Sequence, residues 1–154
     1  MAEEIERKFL LCNEDWRGLA PGIAYVQGYL VGNEECSVRV RIVENTAALS
    51  IKSATAGASR NEFEYEIPLE DARQMLGALA KKLLIEKTRY TIKHKGVFWE
   101  IDEFHGKNQG LIVAEIELAR ADQEFERPAW IGEEVTDDPR YYNVNLARAP
   151  YSEW

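Results

Sequence analysis

Acidic and basic side chains recur at a spacing of two along this chain, most densely in Glu4-Ile5-Glu6-Arg7-Lys8. A β-strand turns alternate side chains to opposite faces, so Glu4, Glu6 and Lys8 share one face and Ile5 and Phe9 the other. Val38-Arg39-Val40-Arg41-Ile42 repeats the design with two guanidiniums against aliphatics. Ser50-Ile51-Lys52 adds a lysine. Glu62-Phe63-Glu64-Tyr65-Glu66-Ile67 sets three carboxylates against three apolar groups, and Glu115-Ile116-Glu117-Leu118 adds two more. Carboxylates suit hard divalent cations, which prefer oxygen ligands. Arginine suits phosphate through its planar fork of donors, and lysine supplies a compact charge. Metal-plus-polyanion chemistry needs both signs together.

Strands must position these groups. Alternation predicts them near 3–11, 23–31, 36–44, 47–54, 60–68, 84–94, 97–104 and 111–119. Turn signals at Pro21-Gly22, Gly32-Asn33, Gly57, Gly96 and Gly106 to Gly110 separate several of them. Lys95-Gly96 reads as a tight hairpin. Between Leu69 and Leu83 the apolar period becomes helical, with Leu69, Ala72, Met75, Leu76, Leu79 and Leu83 on one side. Short helices are expected at 14–19 and 138–148, the second capped by Asp137 or Asp138 with Pro139 in its first turn. The expected class is α+β, mostly β: a single domain over 1–154, with eight antiparallel strands, a number that closes into a small barrel.

Alternation does not say which face is inside. Charges in water over an apolar core is the usual arrangement of a half-buried strand. The inverse places charges in a barrel lumen, where each must find a partner because an unpaired buried ion costs on the order of several kcal/mol. Acids and bases on different strands permit such pairing.

Composition narrows the function. The 154 residues are 45% hydrophobic and 30% charged, as in a globular domain. A net charge of -8 argues against a general nucleic-acid binder, which needs a basic surface. Cys12 and Cys36 form no metal-type motif or disulfide framework, which points to a reducing cytoplasm. No apolar run approaches the roughly 20 residues of a membrane span, and the acidic start does not read as a signal peptide. His94 and His105 lack zinc-type spacing, and no phosphate-loop motif occurs. Tyr29 reads as a packed aromatic, and Trp16, Trp99, Trp130 and Trp154 as cover for the barrel exterior.

Taken in order, these pieces resemble the CYTH superfamily, whose E-x-E-x-K signature is matched by Glu4-Ile5-Glu6-Arg7-Lys8. That superfamily includes triphosphate tunnel metalloenzymes, class IV adenylyl cyclases and mammalian-type thiamine triphosphatases. Val38-Arg39-Val40-Arg41, Leu49-Ser50-Ile51-Lys52, Glu62-Phe63-Glu64, Glu86-Lys87-Thr88-Arg89-Tyr90, Trp99-Glu100-Ile101-Asp102 and Ala114-Glu115-Ile116-Glu117-Leu118 extend the resemblance over essentially the whole chain. It implies an eight-stranded barrel whose charged lumen is the active site, with a few peripheral helices; the segment from Asp137 to Asn143 is expected as a helix closing one barrel mouth.

The resemblance also implies roles. Lys8, Arg39, Arg41, Lys52, Lys87 and Arg89 would bind phosphate. Glu4, Glu6, Glu115 and Glu117 would hold Mg²⁺ or Mn²⁺, with Glu62, Glu64 and Asp102 as further metal candidates. Glu66 takes a structural role, and Glu100 shares a face with Asp102. Glu117 or Glu64 would orient the attacking water, and Lys52 would donate to the leaving phosphate. The expected activity is metal-dependent hydrolysis of inorganic tripolyphosphate to pyrophosphate and phosphate. Alternatives are a class IV-type adenylyl cyclase, a thiamine triphosphatase, or a non-catalytic polyphosphate-binding module. The expected partner is a small-molecule triphosphate, with no nucleic acid and no membrane, for a cytoplasmic monomer or homodimer.

Overall fold

The computed structural model describes residues 3–33, 35–54, 58–80 and 83–154. Its strands are β1 (Glu3–Leu11), β2 (Gly22–Gly32), β3 (Cys36–Val43), β4 (Thr46–Ser53), β5 (Ser59–Ile67), β6 (Leu84–His94), β7 (Val97–Phe104), β8 (Ile112–Glu117) and β9 (Ile131–Glu134). The helices are α1 (Leu69–Ala78) and α2 (Asn143–Arg148), with short 3₁₀ turns between elements. All pairings are antiparallel, in the order β5-β4-β3-β2-β6-β7-β8-β1. The ring closes where Glu3, Glu4 and Ile5 meet Asn61, Arg60 and Ser59. Strand β9 covers the rest of that edge of β1, pairing Phe9 with Glu134 and Leu11 with Ile131. The result is a closed eight-stranded barrel with one extra strand.

Two apolar clusters cover the outside of the ring and a third fills part of its inside, which fixes the face that looks inward. Outside β1, β7 and β8, Ile5, Phe9, Trp99, Ile101, Ala114 and Ile116 are buried with Trp16 and Trp130. Trp99 meets Phe9, Phe125 and Trp130 edge to face, at ring separations of 5.5, 5.7 and 6.1 Å. Outside β2, β3 and β4, Ala72 and Leu76 of α1 cover Val40 and Ala47. Gly28 permits this close approach: a Cβ there would lie 2.7 Å from Ala80 Cβ and 2.8 Å from Leu76 Cδ2. The third cluster joins Tyr29, Ile85, Phe104 and Val113 to Leu146 of α2. These four strand residues occupy inward positions, so this cluster is the apolar floor of the lumen. With the apolar outer faces covered, the charged faces point in.

The Lys95-Gly96 hairpin has the positive φ values its turn requires, 51° and 82°. Four boundaries differ from the sequence expectation. Residues 14–19 form hydrogen-bonded turns, Arg17 N–H to Glu14 and Leu19 N–H to Trp16, instead of a helix. The segment is too short to nucleate one alone, and Trp16 is anchored in the core. Helix α1 stops at Ala78, with the N–H groups of Leu79 and Ala80 both turning back to Met75 O. The C-terminal helix is split by extended Tyr142 into a 3₁₀ turn, capped by Asp138, and α2. Strand β9 was not expected, because Ile131-Gly132-Glu133-Glu134 lacks alternation and pairs irregularly. The turn expected at Gly57 lies outside the described residues. No helix among the described residues is long and apolar enough to cross a membrane.

Candidate active site

A cavity of about 240 Å³ runs through the charged lumen. Seven carboxylates line it: Glu4 and Glu6 from β1, Glu62 and Glu64 from β5, Glu100 from β7, and Glu115 and Glu117 from β8. Seven bases face them: Lys8, Arg39, Arg41, Lys52, Arg60, Lys87 and Arg89. Every base expected to contact phosphate is therefore present at the wall, together with all the expected acids except Asp102. Asp102 also faces inward but is almost wholly buried against Lys87 and Arg89, off the cavity surface. Along β2, β6, β7 and β8 the inward residues change within one step from Gln27, Lys87, Asp102 and Glu115 to apolar Tyr29, Ile85, Phe104 and Val113.

Mutual pairing makes this buried charge tolerable. Asp102 accepts two hydrogen bonds from Arg89, at 2.7 and 2.8 Å, and one from Lys87 at 2.7 Å. These two cations hold its carboxyl below the ordinary range despite burial. One carboxylate cannot offset two cations, however. Burial, with Arg89 and Arg41 nearby, pushes the Lys87 ammonium down from 10.5 to about 7. Lys8 meets Glu115 at 2.5 Å, and Lys52 lies 2.9 Å from Glu4 and 3.3 Å from Glu62. Glu64 accepts a hydrogen bond from Ser50 at 3.0 Å, and Arg89 Nη1 reaches Glu100 at 2.9 Å.

Two places depart from this pairing. The first is basic. Arg41 donates to the neutral Gln27 Oε1 at 3.1 Å, and burial beside Arg39 and Arg89 lowers it to about 10. Arg39 Nε is buried without a hydrogen-bond partner among the described residues. Both guanidiniums are therefore under-satisfied by the protein, which suits an incoming anion. The second is acidic. Glu6 and Glu117 stand directly opposite each other across β1 and β8, and Glu100 opposes Glu115 across β7 and β8. Facing like charges destabilise a sheet. Partial burial, then the fields of Glu4, Glu6, Glu100 and Glu62, raise the Glu117 carboxyl above its ordinary value.

The lumen also uses residues that alternation had not singled out. Arg60 donates to Glu4 at 3.2 Å and Glu6 at 3.1 Å, fastening the short β1–β5 closure. Its period-two relation to Glu62 and Glu64 was a readable signal. Asn143, at the start of α2, accepts from Gln27 and Lys87, each at 3.2 Å. Nothing local marks that residue, since only the return of the C-terminus to the barrel brings it there. Tyr25, Tyr29 and Tyr142 also reach the cavity. His105 instead hydrogen-bonds Thr88 at 2.7 Å, away from the lumen.

Comparison with known proteins gives a consistent result. An inorganic triphosphatase of Acetivibrio thermocellus is 46% identical over 98% of this chain and 97% of its own length. An inorganic triphosphatase of Nitrosomonas europaea is 36% identical over 94% and 96%. The crystal structure of the inorganic triphosphatase NE1496 superposes with a TM-score of 0.68 at 34% identity, covering 96% of this chain and 95% of that one. The CYTH domain model matches residues 2–148, and with the closed barrel and its charged lumen this places the chain in the CYTH family.

Proposed function

We propose that this protein hydrolyses inorganic tripolyphosphate to pyrophosphate and phosphate within the barrel lumen, using Mg²⁺ or Mn²⁺. The observation that carries this reading is a double departure from charge pairing: under-satisfied guanidiniums at Arg39 and Arg41, and the Glu117 carboxylate, which faces Glu6 and has no ion pair among the described residues. Near-full-length similarity to two inorganic triphosphatases supports it. The wall carries equal numbers of acids and bases, so a polyphosphate brings negative charge that the protein alone does not offset.

The opposed carboxylates suit a divalent ion. Among the described residues no three or more Asp, Glu, His or Cys side chains are grouped closely enough to hold a metal ion by themselves. A site formed by Glu4, Glu6 and Glu117, with Glu115, Glu62 and Glu64 nearby, would therefore share its ion with phosphate oxygens and water, as Mg²⁺ commonly does. When bound, such an ion offsets charge developing on the phosphoryl oxygens. We assign Asp102 to holding Lys87 and Arg89, because both of its oxygens are already engaged.

Arg39, Arg41, Lys87 and Arg89 bind the phosphate chain, the arginines with parallel donors. Water attacks the terminal phosphorus in line, and its proton passes to Glu117, whose raised pKa suits a base. Glu64, placed by Ser50, helps orient that water. The phosphoanhydride bond breaks with its electron pair on the pyrophosphate oxygen, and Lys52 donates a hydrogen bond to that oxygen. Retained carboxylates favour turnover over passive polyphosphate binding. The lumen favours an inorganic chain over a nucleotide or thiamine ester: it is narrow, Tyr29 is packed in the floor, and Tyr25 is surrounded by cations. The barrel ring closes within one chain, which fits a monomer or homodimer. Two free cysteines fit a reducing cytoplasm.

The test is turnover of tripolyphosphate, ATP and thiamine triphosphate with and without Mg²⁺ or Mn²⁺, with phosphate and cyclic AMP measured. Metal-dependent phosphate release, fastest from tripolyphosphate, is expected. Cyclic AMP as the main product from ATP would overturn the proposed reaction, and equal turnover in chelator would overturn the metal.

A further inference from the structure

Three lumen cations share one uncharged neighbour. Tyr25 lies on β2 in the same inward register as Gln27 and Tyr29, directly opposite Lys87 of β6. Its ring centroid is 5.1 Å from Arg41 Cζ, 5.0 Å from Arg89 Cζ and 5.9 Å from Lys87 Nζ. Asp102 is the counter-ion of Arg89 and Lys87, whereas among the described residues Arg41 has only the neutral Gln27 as acceptor. Like charges this close repel, so something must hold them together before an anion arrives.

We propose that Tyr25 is a positioning residue for polyphosphate binding, its π face keeping Arg41, Lys87 and Arg89 converged without neutralising them. The inference rests on the triphosphatase reading of the lumen. A carboxylate at this position would gather the same cations more firmly, but it would then compete with phosphate for them. An aliphatic side chain would fill the space and attract none of them. An aromatic ring attracts cations through its quadrupole and keeps no hydrogen bond or formal charge that the substrate must displace. Phosphate oxygens can then take the free N–H groups while the ring stays behind the cations. The same geometry excludes Tyr25 as a stacking platform for a base, because cations already occupy its surroundings.

The test uses Tyr25→Phe, Tyr25→Leu and Tyr25→Glu in the full chain. Readouts are kcat and KM for tripolyphosphate and the affinity for an imido-bridged tripolyphosphate, which resists hydrolysis. Phenylalanine should match wild type. Leucine should raise KM and weaken analogue affinity about tenfold, on the scale of one or two lost cation–π contacts, with kcat little changed. Glutamate should weaken affinity further, because it pairs with the cations itself. Tyr25→Met, which keeps apolar bulk without a ring, replaces leucine if that variant does not fold. Equal affinity in the phenylalanine and aliphatic variants, or a loss in kcat alone, would overturn the proposal. Wild-type protein that binds the analogue but releases no phosphate would overturn the triphosphatase reading alone, and the affinity order would still decide Tyr25. Protein that does neither would overturn both.

Discussion

Single charges here act through their immediate neighbours, and Glu117 is the clearest case. It faces Glu6 across the β1–β8 ladder and feels three further carboxylates. Removing its charge would relieve repulsion in the ion-free protein and, on the proposed mechanism, remove a ligand and base from the loaded one. Glu117→Gln should therefore lower tripolyphosphate turnover by about a hundredfold or more, the range of a lost general base, with no fall in thermal midpoint. Steady-state kinetics and a melting curve on the same sample check both halves. Lys87 gives a proton-linked outcome. Its pKa is about 7 in the folded protein and 10.5 ordinarily, so between those values the unfolded chain holds more protons. This group's contribution then makes stability rise with pH across that window. Phosphate beside the ammonium restores its charge, so binding the imido analogue at pH 8 should take up protons. Calorimetry in buffers of differing ionisation enthalpy measures the uptake, and heats independent of buffer would contradict it. The inward acids and bases were legible because alternation puts them on one face. Which partner each one takes was not, because Lys8 finds Glu115 only through ladder register, a property of strands far apart in sequence.

Elements were legible where one periodicity persisted. Eight strands and the start of α1 follow from runs of alternating or helical spacing. Strand β9 escaped because four residues without alternation carry no period, and the 14–19 turn because Trp16 is fixed by a core that local sequence does not reveal. The inward direction of the charged faces was legible through family resemblance, not through alternation itself. Physically, that direction depends on what covers the outside, and α1 provides one such cover. Gly28→Val tests this layer, since even the first carbon of the side chain would lie within 3 Å of Ala80 and Leu76. Overpacking of this kind costs about 1–3 kcal/mol. The variant should melt several degrees lower, while turnover per folded molecule stays near wild type because Gly28 faces away from the lumen. A melting point equal to wild type would show that α1 can shift at no cost.

The whole barrel is an electrostatic container that is nearly balanced when empty. Seven acids and seven bases at the wall satisfy most of one another, so neither a polyanion nor a divalent cation enters without disturbing that balance. A polyphosphate alone gains Arg39 and Arg41 but adds negative charge near Glu6, Glu100 and Glu117. A cation alone eases the opposed carboxylates but approaches a wall already carrying lysines and arginines. Entering together, the two ions offset each other, the phosphate meeting the under-satisfied Arg39 and Arg41 and the cation the opposed Glu6 and Glu117. Binding should therefore be strongly cooperative, and by linkage each ion must strengthen the other equally. Saturating imido-bridged tripolyphosphate and Mg²⁺ together should raise the melting point by several degrees, as expected when ligand exceeds its dissociation constant about a hundredfold and adds about 2.7 kcal/mol. Either ion alone should raise it by much less than half as much. Additive shifts would mean that the two sites do not share the lumen's charge, and the barrel would then be two independent binding surfaces.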